Sequence, residues 1–550
     1  MIKPYMTAGL LLCTGLLALS GCSDDNDVAL NDAAPNNTDT PSAGNPGTDT
    51  PAGGNENTIN SPQAARWFSD GRQAVATASQ RQNDTSPGAA KNVILFVGDG
   101  MGISTVTAAR ILAGQRAGGT GEEYNLSFDK LPYAALSKTY NTNAQTPDSA
   151  GTMTAMVTGL KTDIGVLSVA PGVTRGDCAS AQGRSLTTFL ELAEMDGKST
   201  GVVTTARLTH ATPAATYAHT PDRNWEDNSA LTASAVAAGC TDIAAQFVDF
   251  NVGDGIEVAF GGGRRHFLPA TVTVEGSAGR RTDGRNLVSE WQQRHPQGAY
   301  ISDEAGFEAL GNDNTPVLGL FESSHMRFEA DRDNDVAGEP SLEAMTKKAI
   351  QRLSNDQDGY FLMVESGRID HAHHAGNAFN ALNETVEFSR AIQAALDSVN
   401  LDDTLVVVTA DHSHVFTMAG YPTRGNPILG KVIGNDASGS AQDTPTLAGD
   451  DMPYTTLGYT NGQGFANLGD ETNAEAIYAV GGMPGRADLT NVDTTVPGYH
   501  QEALVPLGAE THAGEDVGIY AAGPGAALFN GTLEQNVIFH VMNRAAGLVQ

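Results

Sequence analysis

The run from Tyr360 to Asn377, YFLMVESGRIDHAHHAGN, constrains this chain more than any other stretch. Tyr360 to Val364 is apolar throughout, long enough for one buried strand and too short for a helix. Glu365 follows at once, then Asp370, His371, His373 and His374. From Ala378 onward Phe388, Ile392, Ala395 and Val399 recur at helical spacing. A buried strand therefore delivers acids and imidazoles into the connection before a helix. In open α/β sheets the carboxyl edge of the strands is where ligands bind. Asp370 and His374 are four apart, so one helical turn sets both on one face, as a shared metal ion requires.

The same grammar recurs along the chain. Val93 to Val97 is a strand pattern, and the Gly98-Asp99-Gly100 turn after it brings Asp99 to the strand's end. Thr200 to Thr205 precedes His210, Thr212 and Arg223; Ile256 to Phe260 precedes Gly261 to Arg264; Leu405 to Thr409 precedes Asp411, His412 and His414. Helical patterns such as Ser185 to Gly197 lie between them. Strands alternating with helices predict an α/β fold, doubly wound, with a mostly parallel central sheet and helices on both faces. Val517 to Ala521 reads as a further strand and Thr532 to Leu548 as a closing helix. One element differs: Asp148 can cap a helix running to about Val157, with Gly159 as its stop. Ser149 then stands at a helix N-terminus, where unpaired amides and the dipole favour an anion.

A formal charge of −32 disfavours nucleic acid or an anionic membrane as partner, since nothing offsets phosphate repulsion. At the start, Lys3, an apolar stretch from Ala8 to Ala18 and the ending Leu19-Ser20-Gly21-Cys22 read as an export signal. That ending resembles a bacterial lipobox, which would make Cys22 the lipidated first residue and tether an exported, periplasmic or cell-surface protein by acyl chains. The acidic, Pro- and Gly-rich stretch to Ser61 reads as a disordered linker. Of the four cysteines, Cys13 lies in the signal and Cys22 in the lipobox, which leaves Cys178 and Cys240 as a disulfide candidate. The expected organisation is signal 1–21, linker 22–61, catalytic domain 62–420, a loop-rich crown-like insertion 421–505, and a return to the catalytic domain over 506–550.

Six motifs together resemble the alkaline phosphatases, and the animal-type branch more than short bacterial forms. They are GDGMG at Gly98–Gly102, PDSAGT at Pro147–Thr152, THATPAATYAHTPDRNW at Thr209–Trp225, VESGRIDHAHH at Val364–His374, TADHSH at Thr409–His414 and ETHAGEDV at Glu510–Val517. The resemblance implies hydrolysis of phosphate monoesters through a phosphoserine on Ser149. It implies one zinc on Asp370, His374 and His512, and a second on Asp99, Asp411 and His412. Magnesium would sit on Asp99, Thr212 and Glu365, with His210 close behind, and Arg223 would grip the phosphoryl oxygens. Cys178 and Cys240 match a disulfide of the animal-type enzymes. An additional cation site, often assigned to calcium, would involve Glu322 and, with less support, Glu339 and Glu275. A homodimer is implied as well. Three cations with Arg223 would keep the site cationic although the chain is acidic. A sulfatase reading fails because Ser149 is followed by Ala-Gly-Thr, without the Pro and Arg that setting needs. A superfamily phosphodiesterase and a non-catalytic, metal-loaded surface lipoprotein stand as the alternatives.

Overall fold

The computed structural model describes residues 62–82 and 90–548. The signal, Cys22 and the acidic linker lie outside the described residues. The main sheet has ten strands: β1 (Asn92–Gly98), β2 (Tyr133–Lys138), β3 (Ser199–Arg207), β4 (Val258–Gly262), β5 (Ala299–Ile301), β6 (Val317–Leu320), β7 (Tyr360–Ser366), β8 (Thr404–Ala410), β9 (Val517–Ala522) and β10 (Thr532–Glu534). Their spatial order is β10-β2-β9-β8-β1-β7-β3-β4-β6-β5. From β8 to β5 every pairing is parallel, and β9 is antiparallel to both of its neighbours. The sheet is thus mostly parallel, as its strand grammar predicts.

Alternation along the central strands explains the layering. Val93, Leu95 and Val97 of β1 enter one apolar core, while Ile94 and Phe96 enter the other. Phe361 and Met363 of β7 face Leu362 and Val364 across the sheet in the same way. Side chains two apart share a face, so a continuous apolar run feeds a core on each side. Helices α1 (Pro62–Gln82), α2 (Ile103–Arg116), α3 (Ser149–Thr158), α4 (Arg368–His374), α5 (Ala378–Ser398) and α6 (Val537–Ala546) include the layers that cover them. Met153, Met156 and Val157 of α3 and Ile538, Val541 and Met542 of α6 fill the first core. Val106 and Leu112 of α2 and Leu382, Phe388 and Ile392 of α5 fill the second.

Two expectations need correction. The expected closing helix begins later, because Thr532 to Glu534 instead pair with Leu136 to Lys138 at the sheet edge. There the Glu534 carboxylate meets Lys138 at 2.9 Å and the buried Lys161 at 3.1 Å, contacts a helix would not reach. The helix expected over Ser185 to Gly197 is confined to Phe189–Met195, started by a capping box of Thr188 and Glu191. Between 421 and 505 the described elements are all short, the longest strand being Leu457–Gly462. Cys178 and Cys240 are joined, and Trp225 packs with them in a small cluster.

Candidate active site

Strand register builds the site. Gly98 at the end of β1 pairs with Ala410 of β8 and with Ser366 of β7, while Glu365 pairs with Thr204 of β3. Asp99 and Asp411 therefore leave β1 and β8 level with each other at the carboxyl edge, and Glu365, opposite Val97, lies just inside it. All three are fully buried. Burial, followed by repulsion from Asp411, Asp370 and Glu365, pushes Asp99 well above the usual carboxylate range. Burial is also the main cause that raises Glu365, to about 7. Carboxylates gathered this closely out of water call for cations between them.

The atoms left without partners say the same. Both oxygens of Asp99, Oε1 of Glu365, Oδ2 of Asp411 and the Thr212 hydroxyl are buried and accept or donate no hydrogen bond. Asp99, Glu365 and His210 offer ligand atoms within 4.8 Å of one another. His210, expected behind that group, is therefore placed within it as a further nitrogen donor. Asp99, Asp370 and His412 form a second set within the same limit. Asp411 belongs with them, its Oδ2 being 3.3 Å from His412 Nε2.

A third set joins Asp370, His374, His512 and His414. Helix α4 carries Asp370 and His374 on one face, with 3.2 Å between Oδ1 and Nε2. His512 arrives from far along the chain because His512–Ala513 pairs antiparallel with Ser413–His414, setting His512 opposite His414. His374 Nδ1 donates to the Glu510 carbonyl at 2.6 Å and His512 Nδ1 to the Pro147 carbonyl at 2.8 Å. Those bonds make Nδ1 the donor on each ring, so in the neutral imidazoles the two Nε2 lone pairs face each other, 3.1 Å apart. Two acceptors in that posture beside a carboxylate fit a zinc-like cation. Burial raises Asp370, but His374, His414 and His512 outweigh it and hold the carboxyl well below its ordinary range.

Ser149 is the first residue of α3, capped by Asp148, which accepts from Gly151 N at 3.1 Å. Gly159 ends the helix in the left-handed region at φ 76°, as its place in the sequence predicts. The Ser149 Oγ lies 3.2 Å from His412 Nε2, at the edge of the second donor set. Arg223 Nη1 donates to Asp148 Oδ2 at 3.1 Å, and its Nη2 is 3.1 Å from His210 Nε2. Asp148 therefore holds the serine's helix and the arginine together. Asp148→Ala is expected to raise the inhibition constant for inorganic phosphate roughly tenfold, the worth of one charged hydrogen bond. The lost cap should cost about 1 kcal/mol as well. Phosphate titration and a melting curve check both, and an unchanged inhibition constant would mean Arg223 needs no such partner.

Two residues quoted within motifs had no assigned role and prove central. His414 Nε2 lies 2.9 Å from Asp370 Oδ1, and its Nδ1 lies 2.6 Å from Glu510 Oε2. Glu510, itself buried, also accepts from Val415 N at 2.8 Å. Alternation was the available signal: His414 follows His412 by two and Glu510 precedes His512 by two, on extended chain. Of the other histidines near Asp370, His373 bonds Thr105 and Tyr459, and His371 lies against the tilted ring of His325, with 3.9 Å between ring centres. Neither belongs to a donor set. Arg264, at the end of β4, stays apart from the cluster and pairs with Glu275. Glu275 is thereby removed from the additional cation group, where Asp335 joins Glu322 and Glu339.

Comparison with known proteins agrees with this geometry. The sequence model described as alkaline phosphatase matches residues 90–548. The tissue-nonspecific alkaline phosphatase of Gallus gallus is 44% identical over 491 residues, covering 87% of this chain and 89% of that one. The Homo sapiens tissue-nonspecific isozyme is 43% identical over 491 residues, covering 87% and 88%. Among solved structures, Thermus thermophilus alkaline phosphatase superposes with a TM-score of 0.60 at 25% identity, over 85% of this chain and 94% of that one. Likeness of that extent, nearer in sequence to the animal enzymes, means that this chain belongs to the alkaline phosphatase family and is a hydrolase of phosphate monoesters.

Proposed function

We propose that hydrolysis runs through a covalent phosphoserine on Ser149, within a site holding two zinc ions and one magnesium. The observation that carries this reading is Ser149 itself: a hydroxyl at a helix N-terminus, 3.2 Å from a donor-set histidine and beside Arg223. Asp370, His374 and His512 would hold one zinc; Asp99, Asp411 and His412 the second; Asp99, Glu365 and Thr212, with His210, the magnesium. The set with two imidazoles and one carboxylate suits zinc, the second set offers one imidazole with two carboxylates, and the set richest in oxygen suits magnesium. When bound, these ions lower the pKa of coordinated hydroxyls and offset charge on the attacking and leaving oxygens of an in-line displacement.

The chain's own groups do the rest. Asp148 starts α3, so the helix amides and dipole face the phosphoryl group. Arg223, held by Asp148, presents a planar fork to two non-bridging oxygens. Ser149 attacks phosphorus as the ester oxygen departs opposite it, and water then cleaves the phosphoserine to inorganic phosphate. His414 and Glu510 orient Asp370 and take no part in bond making. The supporting experiment is an acid quench with labelled monoester: label should appear on a peptide containing Ser149. Absence of label during steady turnover would remove the covalent step.

A fourth cation group, Glu322, Asp335 and Glu339, offers only carboxylate oxygens and is proposed as a calcium site. The lipobox reading adds that the enzyme is exported and lipid-anchored through Cys22, and no described helix is long and apolar enough to cross a membrane. The enzyme is proposed to act as a homodimer, with the crown-like segment 421–505 laid over the ligand edge of the catalytic domain 62–420 and 506–550 returning to it.

A further inference from the structure

The segment after Pro221 carries Arg223 and is held from outside. Arg223 N donates to the Gly165 carbonyl at 2.9 Å, and the Trp225 and Glu226 carbonyls accept from Ile243 N and Ala244 N at 2.8 and 3.1 Å. Trp225 also packs against Cys178 and Cys240. Glu226 therefore stands on a fixed backbone beside the start of the helix Ile243–Asp249. Its side chain reaches the end of β3. Arg207 Nε and Nη2 donate to Glu226 Oε2 and Oε1, each at 2.7 Å, and Thr209 Oγ1 donates to Oε2 at 2.6 Å. Burial raises this carboxyl, but Arg207 leads the opposing effects and holds it below the ordinary range. A bidentate, charge-assisted pair of this kind is both strong and directional.

Arg207 and Thr209 begin the turn that bears two donors. His210 N donates to the Arg207 carbonyl at 2.8 Å, and the short helix Ala211–Ala214 follows, with Thr212 in it. His210 offers a ligand atom to the set with Asp99 and Glu365, and the Thr212 hydroxyl is buried without a partner. Two cross-links thus join this turn to the Arg223 segment. One is Arg223 Nη2, 3.1 Å from His210 Nε2, and it uses a guanidinium nitrogen that a phosphoryl oxygen would also claim. The other is Glu226. Its partners Arg207 and Thr209 lie outside the donor sets, so this link stays made whatever occupies the site.

We propose that Glu226 is a positioning residue: its carboxylate fixes the turn carrying His210 and Thr212 against the segment carrying Arg223, and so sets the spacing between those donors and the grip on phosphate. The inference rests on the reading of that donor set as the magnesium site. Groups outside a coordination shell that hold its ligands in place are worth about 10- to 100-fold in metal affinity. Glu226→Gln keeps the shape of the side chain but sets an amide N–H against the guanidinium, so the bidentate pair with Arg207 is broken.

The test is calorimetric titration of magnesium into chelator-treated, zinc-reloaded wild type, Glu226→Gln and Thr209→Val. Glu226→Gln should raise the magnesium dissociation constant about 10-fold, the low end of that range because it acts through the turn. The inhibition constant for inorganic phosphate should rise about 3-fold, part of the worth of one charged hydrogen bond. At saturating magnesium kcat should stay near the wild-type value while KM rises, as when binding rather than chemistry is weakened. Thr209→Val removes one of the three bonds to Glu226 and should shift the magnesium constant in the same direction by about 3-fold. A lower melting temperature with both constants at wild-type values would make Glu226 a structural residue only and overturn the inference. An unchanged magnesium constant in Thr209→Val would overturn it even if Glu226→Gln failed to fold. Wild type that hydrolyses monoesters yet binds no magnesium would instead strike the reading of that set.

Discussion

Ser149→Ala is expected to lower phosphomonoester turnover by roughly 10⁴-fold or more, as loss of an attacking group does in enzymes whose site works as a unit. The reasoning is geometric. Ser149 is the only hydroxyl shown in contact with His412 among the described residues, at 3.2 Å. It is buried at the first position of α3, where the capped amides and Arg223 converge. No neighbour can take its place: Thr152 and Thr154 turn their hydroxyls back to helix carbonyls, at 3.0 and 2.7 Å. The variant should fold, since alanine suits a first helical turn and Asp148 retains the cap. Inorganic phosphate should still bind. Steady-state rates with any simple aryl phosphate check this, and full activity would refute the nucleophile assignment.

Removing the metals should abolish turnover in a second, independent way. Chelator-treated protein is expected to lose at least about 100-fold in kcat, with zinc plus magnesium restoring it, given what ligand-shell changes alone cost metalloenzymes. The cause lies in the buried charges. Asp99, Glu365, Asp370 and Asp411 are all closed off from water around Ser149. Without cations, burial and mutual repulsion keep Asp99 and Asp411 raised, so protons compete for the ligands. Asp370 likewise raises His374 against the lowering effect of burial, so a proton competes for that nitrogen as well. Melting temperature should fall together with activity, because repulsion replaces coordination within the fold. Activity that persists after the metal content has dropped below one ion per chain would end this reading. A phosphodiester assay run in parallel separates the superfamily alternative, which predicts equal or better cleavage of diesters.

Much of the architecture could be read before any coordinates. The apolar runs ending in acids, at Val97, Val364 and Thr409, each became a central strand with its acid at the carboxyl edge. Asp148 and Gly159 bounded α3 as their chemistry demands. Periodicity could not reveal that β9 runs against its neighbours, because an apolar run looks alike in either direction. It likewise read Thr532 to Glu534 as helix, where pairing with a sheet edge decided otherwise.

What the residues determined by themselves is the inventory: which side chains stand at strand ends, and that acids, imidazoles and one capped serine suit a cation-assisted attack on phosphate. Local pattern suffices there, because alternation and capping act over a few residues. The tertiary structure alone decided which of them meet. His512 reaches Asp370 through a two-residue pairing opposite His414, and Glu510 holds His414 from behind. Those contacts join positions roughly a hundred or more residues apart, where register and packing set the distance and no short-range pattern carries it.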